Sequence, residues 1–367
     1  MADYKTYDLG DFKLQSGEVI PGAFIAYKTF GESSSPAVLY PSWYSGSISD
    51  NEWLIGDDKT LNPAKYFIII TALFGNGQSI SPSNSKIAPF PTVTFYDNVK
   101  AQHQLLTQGL GIKHLRAVTG WSMGAAQSFQ WATQFPDFLD ICVPFCGSAR
   151  TSLHNQVFLE GQKSALLAAK HISSAGSGQD RVESKGQEVR TWTDAERTTG
   201  LKAFGRGYAG WGFSQAFYRE RLHEKFYNAK DLEAFLVDFW EAWALSKDPE
   251  NLLVMLRTWQ AGDVSKQEPY NGDFEKAMAS IKAKTLVLPS KTDLYFPPED
   301  SEYEVKCMDP AVGTLDVYPS IWGHWAGGPP GNMEDVKWLD ERLAKMFKET
   351  PTGGVEGATE GVGKLKV

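Results

Sequence analysis

Cysteine, surplus positive charge and long apolar runs are all scarce in this chain of 367 residues. Its three cysteines, Cys142, Cys146 and Cys307, cannot build a disulfide framework, and an odd count argues against a secreted scaffold. Thirty-six Lys and Arg face 44 Asp and Glu, a net charge of −8. A chain so charged has no general attraction for phosphate backbones or anionic lipid, so neither nucleic acid nor a membrane surface is expected as a partner. The longest apolar stretch, residues 66–74, is far short of the ~20 residues that span a bilayer. The opening segment has neither the basic nor the apolar region of a secretory signal. The expectation from these absences is a cytoplasmic protein. What is plentiful is aromatic surface: 13% of residues, with twelve Trp, enough for broad apolar contacts or pocket walls. Hydrophobic residues at 42% and charged residues at 22% are ordinary globular values.

Strand-like and helix-like patterns alternate in the first half. Residues 18–30 read as a strand pair, and 37–40, 66–71, 115–118 and 141–145 as short buried strands. Helices are expected over 98–109 and 123–135. Continuous apolar strands alternating with helices imply a mostly parallel sheet covered on both faces. From about residue 156 to 275 the strand signal disappears, and aromatic-rich helices are expected over 157–169, 201–227, 231–245 and 249–260. The segment 172–188 is polar and rich in Gly and Ser, as a surface loop would be. Strands resume at 285–289 and 314–318, followed by an amphipathic helix over 333–347 and a Gly/Thr-rich tail over 349–367. The organisation is therefore one α/β core, residues 1–155 and 276–348, interrupted by an all-helical cap over 156–275.

Within the core lies Gly120-Trp121-Ser122-Met123-Gly124. A G-x-S-x-G sequence alone is common. Here it follows a buried strand and opens a helix, the setting of a nucleophile elbow, where small neighbours permit strained dihedrals at the central serine. Ser122 is thus the candidate nucleophile. Of six histidines, His324 lies after the helical segment, in a loop following a late strand, and is the candidate base. His154 is its nearest rival. Asp293, in the loop after 285–290, precedes His324 in the order acid then histidine and is the candidate orienting acid. The backbone amides of Met123 and Trp43 are the expected oxyanion donors. Cys142 and Cys146 have no ligand partners at metal spacing, and Gly75-Asn-Gly77 lacks the remainder of a nucleotide loop. No metal and no organic cofactor is expected.

Several segments together resemble the homoserine O-acetyltransferase-like branch of the α/β-hydrolase superfamily. They include Ala26-Tyr-Lys-Thr-Phe-Gly31, Asn51-Glu-Trp-Leu-Ile-Gly56, Phe74-Gly-Asn-Gly77, the elbow, Leu294-Tyr-Phe-Pro-Pro298 and Gly323-His324. The resemblance implies an α/β-hydrolase fold, a Ser122–Asp293–His324 triad, and a homodimer joined through the helical cap. Departures bear on the branch. Where the amino-acid acetyltransferases have Gly-His-Asp, this chain has Trp325 after His324. Their acceptor-binding Arg corresponds to Arg206, but the Tyr seven positions on is Phe213, and an oxyanion-loop Thr is replaced by Tyr44. On this resemblance the chain is closest to the esterases of the branch. Tyr44, Trp121, Arg206, Phe213 and Trp325 are the expected pocket residues, favouring an uncharged ester of a small acyl, often acetyl, group. An acyl-CoA-dependent O-acyltransferase is the first alternative. A non-hydrolytic binding or cyclisation role is the second.

Overall fold

Six parallel strands form the centre of the computed structural model, which describes residues 3–170, 191–329 and 332–353. These are β3 (Ala37–Pro41), β4 (Phe67–Thr71), β5 (Leu115–Trp121), β6 (Leu139–Phe145), β7 (Lys284–Val287) and β8 (Gly313–Leu315). Nearly every residue of β3 to β6 is buried, as covering both sheet faces with helices requires. Two further strands, β1 (Lys5–Lys13) and β2 (Val19–Phe30), complete an eight-stranded sheet in the order β1-β2-β4-β3-β5-β6-β7-β8. β1 pairs antiparallel with β2, and β2 antiparallel with β4.

Where a strand pair is expected over 18–30 there is one strand, β2, and its partner is β1 at the chain's start, where the sequence shows no strand pattern. Only Leu9 and Phe12 of β1 are buried, and its register is broken at Gly10, which has a positive φ of 63°. An exposed edge strand with a bulge has little of the alternation that marks a strand.

On the sheet faces lie α1 (Phe95–Gln104), α2 (Met123–Gln134) and α12 (Met333–Glu349). Between β6 and β7 the described residues hold no strand, only an isolated bridge between Arg150 and Asp263. That insert contains α3 (Leu153–Ala169), α4 (Asp194–Gly212), α5 (Gln215–Arg219), α6 (Leu222–Tyr227), α7 (Leu232–Phe235), α8 (Ala242–Leu245), α9 (Pro249–Gln260) and α10 (Phe274–Ala279). The single helix expected over 201–227 is thus three. Ser214 caps α5, accepting a hydrogen bond from the Phe217 amide, and Arg221 turns left-handed at φ 54°. A further helix, α11 (Pro298–Lys306), follows β7.

The polar segment 172–188 lies outside the described residues, as does the tail beyond residue 353. The tail's first residues are not loose. Arg116 donates to the carbonyls of Phe347, Thr350 and Pro351, and the Gly353 amide donates to Asp140. No described helix is long and apolar enough to cross a membrane.

Because β3, β5, β7 and β8 run in the same direction, the segments after them emerge at one edge of the sheet. Ligand sites of such sheets form at the carboxyl ends of strands.

Candidate active site

The turn from β5 into α2 is held by close packing of small residues. Ser122 has φ 59° and ψ −122°, a conformation costing a non-glycine residue about 1–3 kcal/mol. A Cβ on Gly120 would stand 2.4 Å from the Gly124 backbone, and one on Gly124 would stand 2.7 Å from the Pro41 carbonyl oxygen. Neither position has room for a side chain, so the glycines of the motif are required by contact. The strained serine puts its hydroxyl clear of the backbone, 2.9 Å from His324 Nε2.

His324 Nδ1 is 2.8 Å from Asp293 Oδ2. A carboxylate only accepts, so Nδ1 carries the proton and Nε2 is left to accept from the Ser122 hydroxyl. The other carboxylate oxygen, Oδ1, accepts from the amides of Tyr295 at 2.8 Å and Phe296 at 3.2 Å. All three side chains are buried. Residues 202 positions apart in sequence therefore form one hydrogen-bonded chain.

The loops bearing Asp293 and His324 are clamped to each other. Thr292 donates its hydroxyl to the Ser320 carbonyl and accepts from the Gly323 amide, each at 3.0 Å. Ser320 in turn donates to Asp335 on α12 and accepts from the Trp322 amide. From the helical insert, Ser214 donates to the Ile321 carbonyl. A Cβ on Gly323 would meet the Ser214 nitrogen at 2.6 Å, so the insert presses directly on the histidine loop. The imidazole is held by rings as well: Trp121 stacks on it at 4.9 Å and Tyr295 meets it at 4.7 Å, nearly perpendicular. Trp121 also donates its indole N–H to the His324 carbonyl at 3.0 Å.

The loop after β3 is tied to the start of α2. Gln127 Nε2 donates to the carbonyls of Ser42 and Met123. Met123 is the first residue of α2, so its amide has no acceptor within the helix. Trp43 lies in the turn closed by the Gly46 amide on the Trp43 carbonyl, with its ring edge-on to Trp121 at 4.8 Å.

Behind the elbow, Gly147 passes so close to the Ser122 carbonyl that a Cβ would stand at 2.5 Å. Two residues on, the Ala149 amide donates to Glu304 Oε1 at 2.6 Å, while among the described residues Oε2 is buried without a hydrogen-bond partner. Burial pushes the Glu304 pKa up to about 8. The folded state therefore holds a proton here that the unfolded chain releases near pH 4.5, and stability falls as pH rises between these values. Glu304→Gln, neutral at every pH, is expected to match the wild type near pH 4 and to exceed it by roughly 2–4 kcal/mol at pH 8. Urea denaturation at the two pH values checks this. An equal difference at both would show that Glu304 does not titrate with folding.

The expected pocket residues divide. Trp121 and Trp325 adjoin His324, and Trp325 donates its N–H to the Pro329 carbonyl. Tyr44 is buried beside the site, stacked on Tyr208 at 5.9 Å, with its hydroxyl directed to the Leu252 carbonyl. Phe213 is core: it stacks on Phe217 at 4.0 Å and lies behind Trp325 at 5.0 Å. Arg206 is a correction. It is exposed on the outer face of α4, where it pairs with Glu233 and Glu241, because the buried face of α4 carries Leu201, Phe204, Gly205, Tyr208 and Gly212. His154 packs against Trp211 at 5.1 Å, with no part in the Ser122–His324–Asp293 chain. The sequence reading passed over Thr292, Tyr295, Tyr208 and Trp259. Thr292 and Tyr295 flank Asp293 closely enough to have been singled out. The other two carry no local signal beyond being aromatic residues on helices.

Among the described residues no group of His, Cys, Asp and Glu could hold a metal ion.

A family model described as the alpha/beta hydrolase fold matches residues 49–162. A probable esterase of Corynebacterium glutamicum is 35% identical over 356 residues, covering 94% of this chain and 96% of the relative. An ethyl acetate hydrolase of Pseudomonas veronii is 34% identical over 355 residues, covering 94% and 95%. Homoserine O-acetyltransferases also match, that of Nostoc punctiforme at 27% identity over 79% of this chain and 83% of its own. Among solved structures, an acetylester hydrolase from Corynebacterium glutamicum superposes with a TM-score of 0.83 at 32% identity, covering 94% of this chain and 96% of that one.

Proposed function

This chain belongs to the α/β-hydrolase superfamily, in the branch that includes esterases and homoserine O-acetyltransferases, and we propose that it cleaves small acyl esters through an acyl-enzyme on Ser122. It is a carboxylic-ester hydrolase. The observation that carries the finer reading is the hydrogen-bonded chain from Ser122 through His324 to Asp293. In the first half-reaction Ser122 Oγ attacks the ester carbonyl while His324 Nε2 takes its proton. Asp293 holds the imidazole in the right tautomer and stabilises its positive charge. The amides of Met123 and Trp43 receive the oxyanion, and each such donor is typically worth about 3–4 kcal/mol in the transition state. His324 then protonates the leaving alcohol. In the second half-reaction it activates a water that releases the acid.

Acetyl as the preferred acyl group is supported by the names of the relatives, an ethyl acetate hydrolase and an acetylester hydrolase. The surroundings of His324 are aromatic, and the one arginine a resemblance would assign to an amino-acid acceptor is exposed on α4 and engaged by Glu233 and Glu241. This favours water over homoserine as the acyl acceptor, since a site lacking the partners of a charged substrate rejects it strongly. The reading also carries a helical cap over about 156–275, a homodimer joined through it, and a cytoplasmic location.

Steady-state turnover of nitrophenyl esters of increasing acyl length, alongside acetyl-CoA with homoserine, tests the assignment. Turnover is expected to be highest for acetate and to fall with chain length, with no homoserine-dependent CoA release. Arg206→Ala is expected to change turnover less than about twofold, as for an exposed ion pair. CoA release on adding homoserine would move the assignment to acyl transfer.

A further inference from the structure

Beside His324 lies a cluster of aromatic rings drawn from three remote segments. Tyr295 follows Asp293, Tyr208 is on α4, and Trp259 is near the end of α9. The Tyr295 ring is 4.7 Å from His324, 5.6 Å from Tyr208 and 5.7 Å from Trp259. Tyr44, on the loop after β3, closes the cluster, with its ring 5.9 Å from Tyr208 and 5.7 Å from Trp259. All four side chains are at least nine-tenths buried.

Yet the cluster is not satisfied within itself. The Tyr295 hydroxyl and the Trp259 indole nitrogen are both buried without a hydrogen-bond partner among the described residues. The Tyr208 and Tyr295 hydroxyls approach one another, but a bond between them uses only one of the two phenolic protons, so a donor is left over beside the indole. Leaving a buried donor unpaired costs about 1–3 kcal/mol, and two in one cluster is unusual in a native interior. An indole N–H can only donate, so what is missing is an acceptor. Burial raises the Tyr295 and Tyr208 pKa values, so both phenols remain neutral donors at physiological pH. Among the described residues the rings in contact with Tyr295 and Trp259 are aromatic, and the Asp293 carboxylate is near enough to raise the pKa values of Tyr295 and Tyr208, which favours a neutral acceptor over an anionic one.

We infer that Tyr295 and Trp259, with Tyr208, form a subsite that hydrogen-bonds a neutral acceptor oxygen, an ether, ketone or hydroxyl, on the alcohol portion of the ester. The side of the ester follows from the chemistry. His324 Nε2 hands its proton to the departing alcohol oxygen, so groups packed on the imidazole border the alcohol rather than the acyl chain. The inference rests on the ester-hydrolase reading and narrows its substrate class to oxygen-bearing alcohols. It involves no covalent step beyond that mechanism.

The test compares kcat/KM for two pairs of equal-shaped esters. Methoxyethyl acetate against butyl acetate places an oxygen or a methylene on the alcohol side. Ethyl methoxyacetate against ethyl butyrate does the same on the acyl side. The wild type is expected to prefer methoxyethyl acetate about 10- to 100-fold, the value of one hydrogen bond that satisfies a buried donor, with no such preference on the acyl side. Tyr295→Phe, which keeps the ring against His324 and the backbone N–H hydrogen bond to Asp293 Oδ1, is expected to bring the alcohol-side ratio to within about threefold of unity. Tyr208→Phe is the second variant, expected to reduce the ratio in part, and it keeps the inference testable should Tyr295→Phe not fold. Equal rates for the alcohol pair in the wild type, a preference on the acyl side alone, or a ratio unmoved by either substitution would each overturn the inference. The last would mean that the cluster holds only water. Nitrophenyl acetate turnover, measured in the same preparations and lost in Ser122→Ala, separates the two claims. Its absence from the wild type would be a failure of the ester-hydrolase reading and would take this inference with it.

Discussion

Ser122→Ala is expected to lower kcat for a short-chain ester by roughly 10⁶-fold while leaving the thermal midpoint nearly unchanged. The two halves of this expectation have different origins. Removing Oγ takes away the hydroxyl hydrogen-bonded to His324 Nε2, and what survives is the effect of the oxyanion donors and of binding alone. The backbone, in contrast, keeps its strain. Alanine at φ 59° is no more comfortable than serine, and the contacts that impose that angle involve Gly120, Gly124, Gly147 and the Ser122 carbonyl, none of which uses the hydroxyl. A variant that retained even a hundredth of wild-type turnover would place the nucleophile elsewhere.

Asp293→Asn is the second large effect, a loss of about 10⁴-fold in kcat with the site geometry preserved. The fixed backbone amides of Tyr295 and Phe296 decide how the new amide sits. They donate to Oδ1, so the asparagine must present its carbonyl oxygen to them and its NH2 group to His324 Nδ1. Nδ1 then has to accept, the ring proton moves to Nε2, and the imidazole points a proton at a hydroxyl whose proton it is meant to take. The substitution exchanges one oxygen for one nitrogen and inverts the tautomer. Crystallography of the variant together with its turnover checks the account. A loss smaller than about tenfold in an undisturbed site would show that Asp293 does not orient the histidine.

Why were these three residues legible in a bare sequence? The elbow announces itself because sterics are local: a buried strand, a turn of small residues and a helix lie within some twenty positions, and each glycine there meets backbone. Asp293 and His324 could be placed because loops after β7 and β8 must reach the same sheet edge as the loop after β5. The buried runs of β3 to β6 revealed the parallel sheet for the same reason.

What sequence could not settle is which face of a helix turns inward. Arg206 and Tyr208 are two positions apart on α4, and the structure buries Tyr208 while Arg206, exposed, pairs with exposed Glu233 and buried Glu241. A resemblance assigned the arginine to the pocket, but the partners that hold it outside lie 27 and 35 residues away. The same holds for the cluster of Tyr44, Tyr208, Trp259 and Tyr295. Aromatic composition foretold large apolar walls, but no periodicity brings four segments together. β1 escaped notice because a sheet's exposed edge buries too few residues to write a pattern.

The central claim is that Ser122 carries the acyl group between the two halves of the reaction. Intact-protein mass spectrometry of enzyme quenched in acid during nitrophenyl acetate turnover, followed by peptide mapping, tests it directly. The account predicts a population heavier by one acetyl group, located on the peptide containing Ser122 and absent from Ser122→Ala. Ser122-dependent turnover with no acylated Ser122 at any quench time would contradict it.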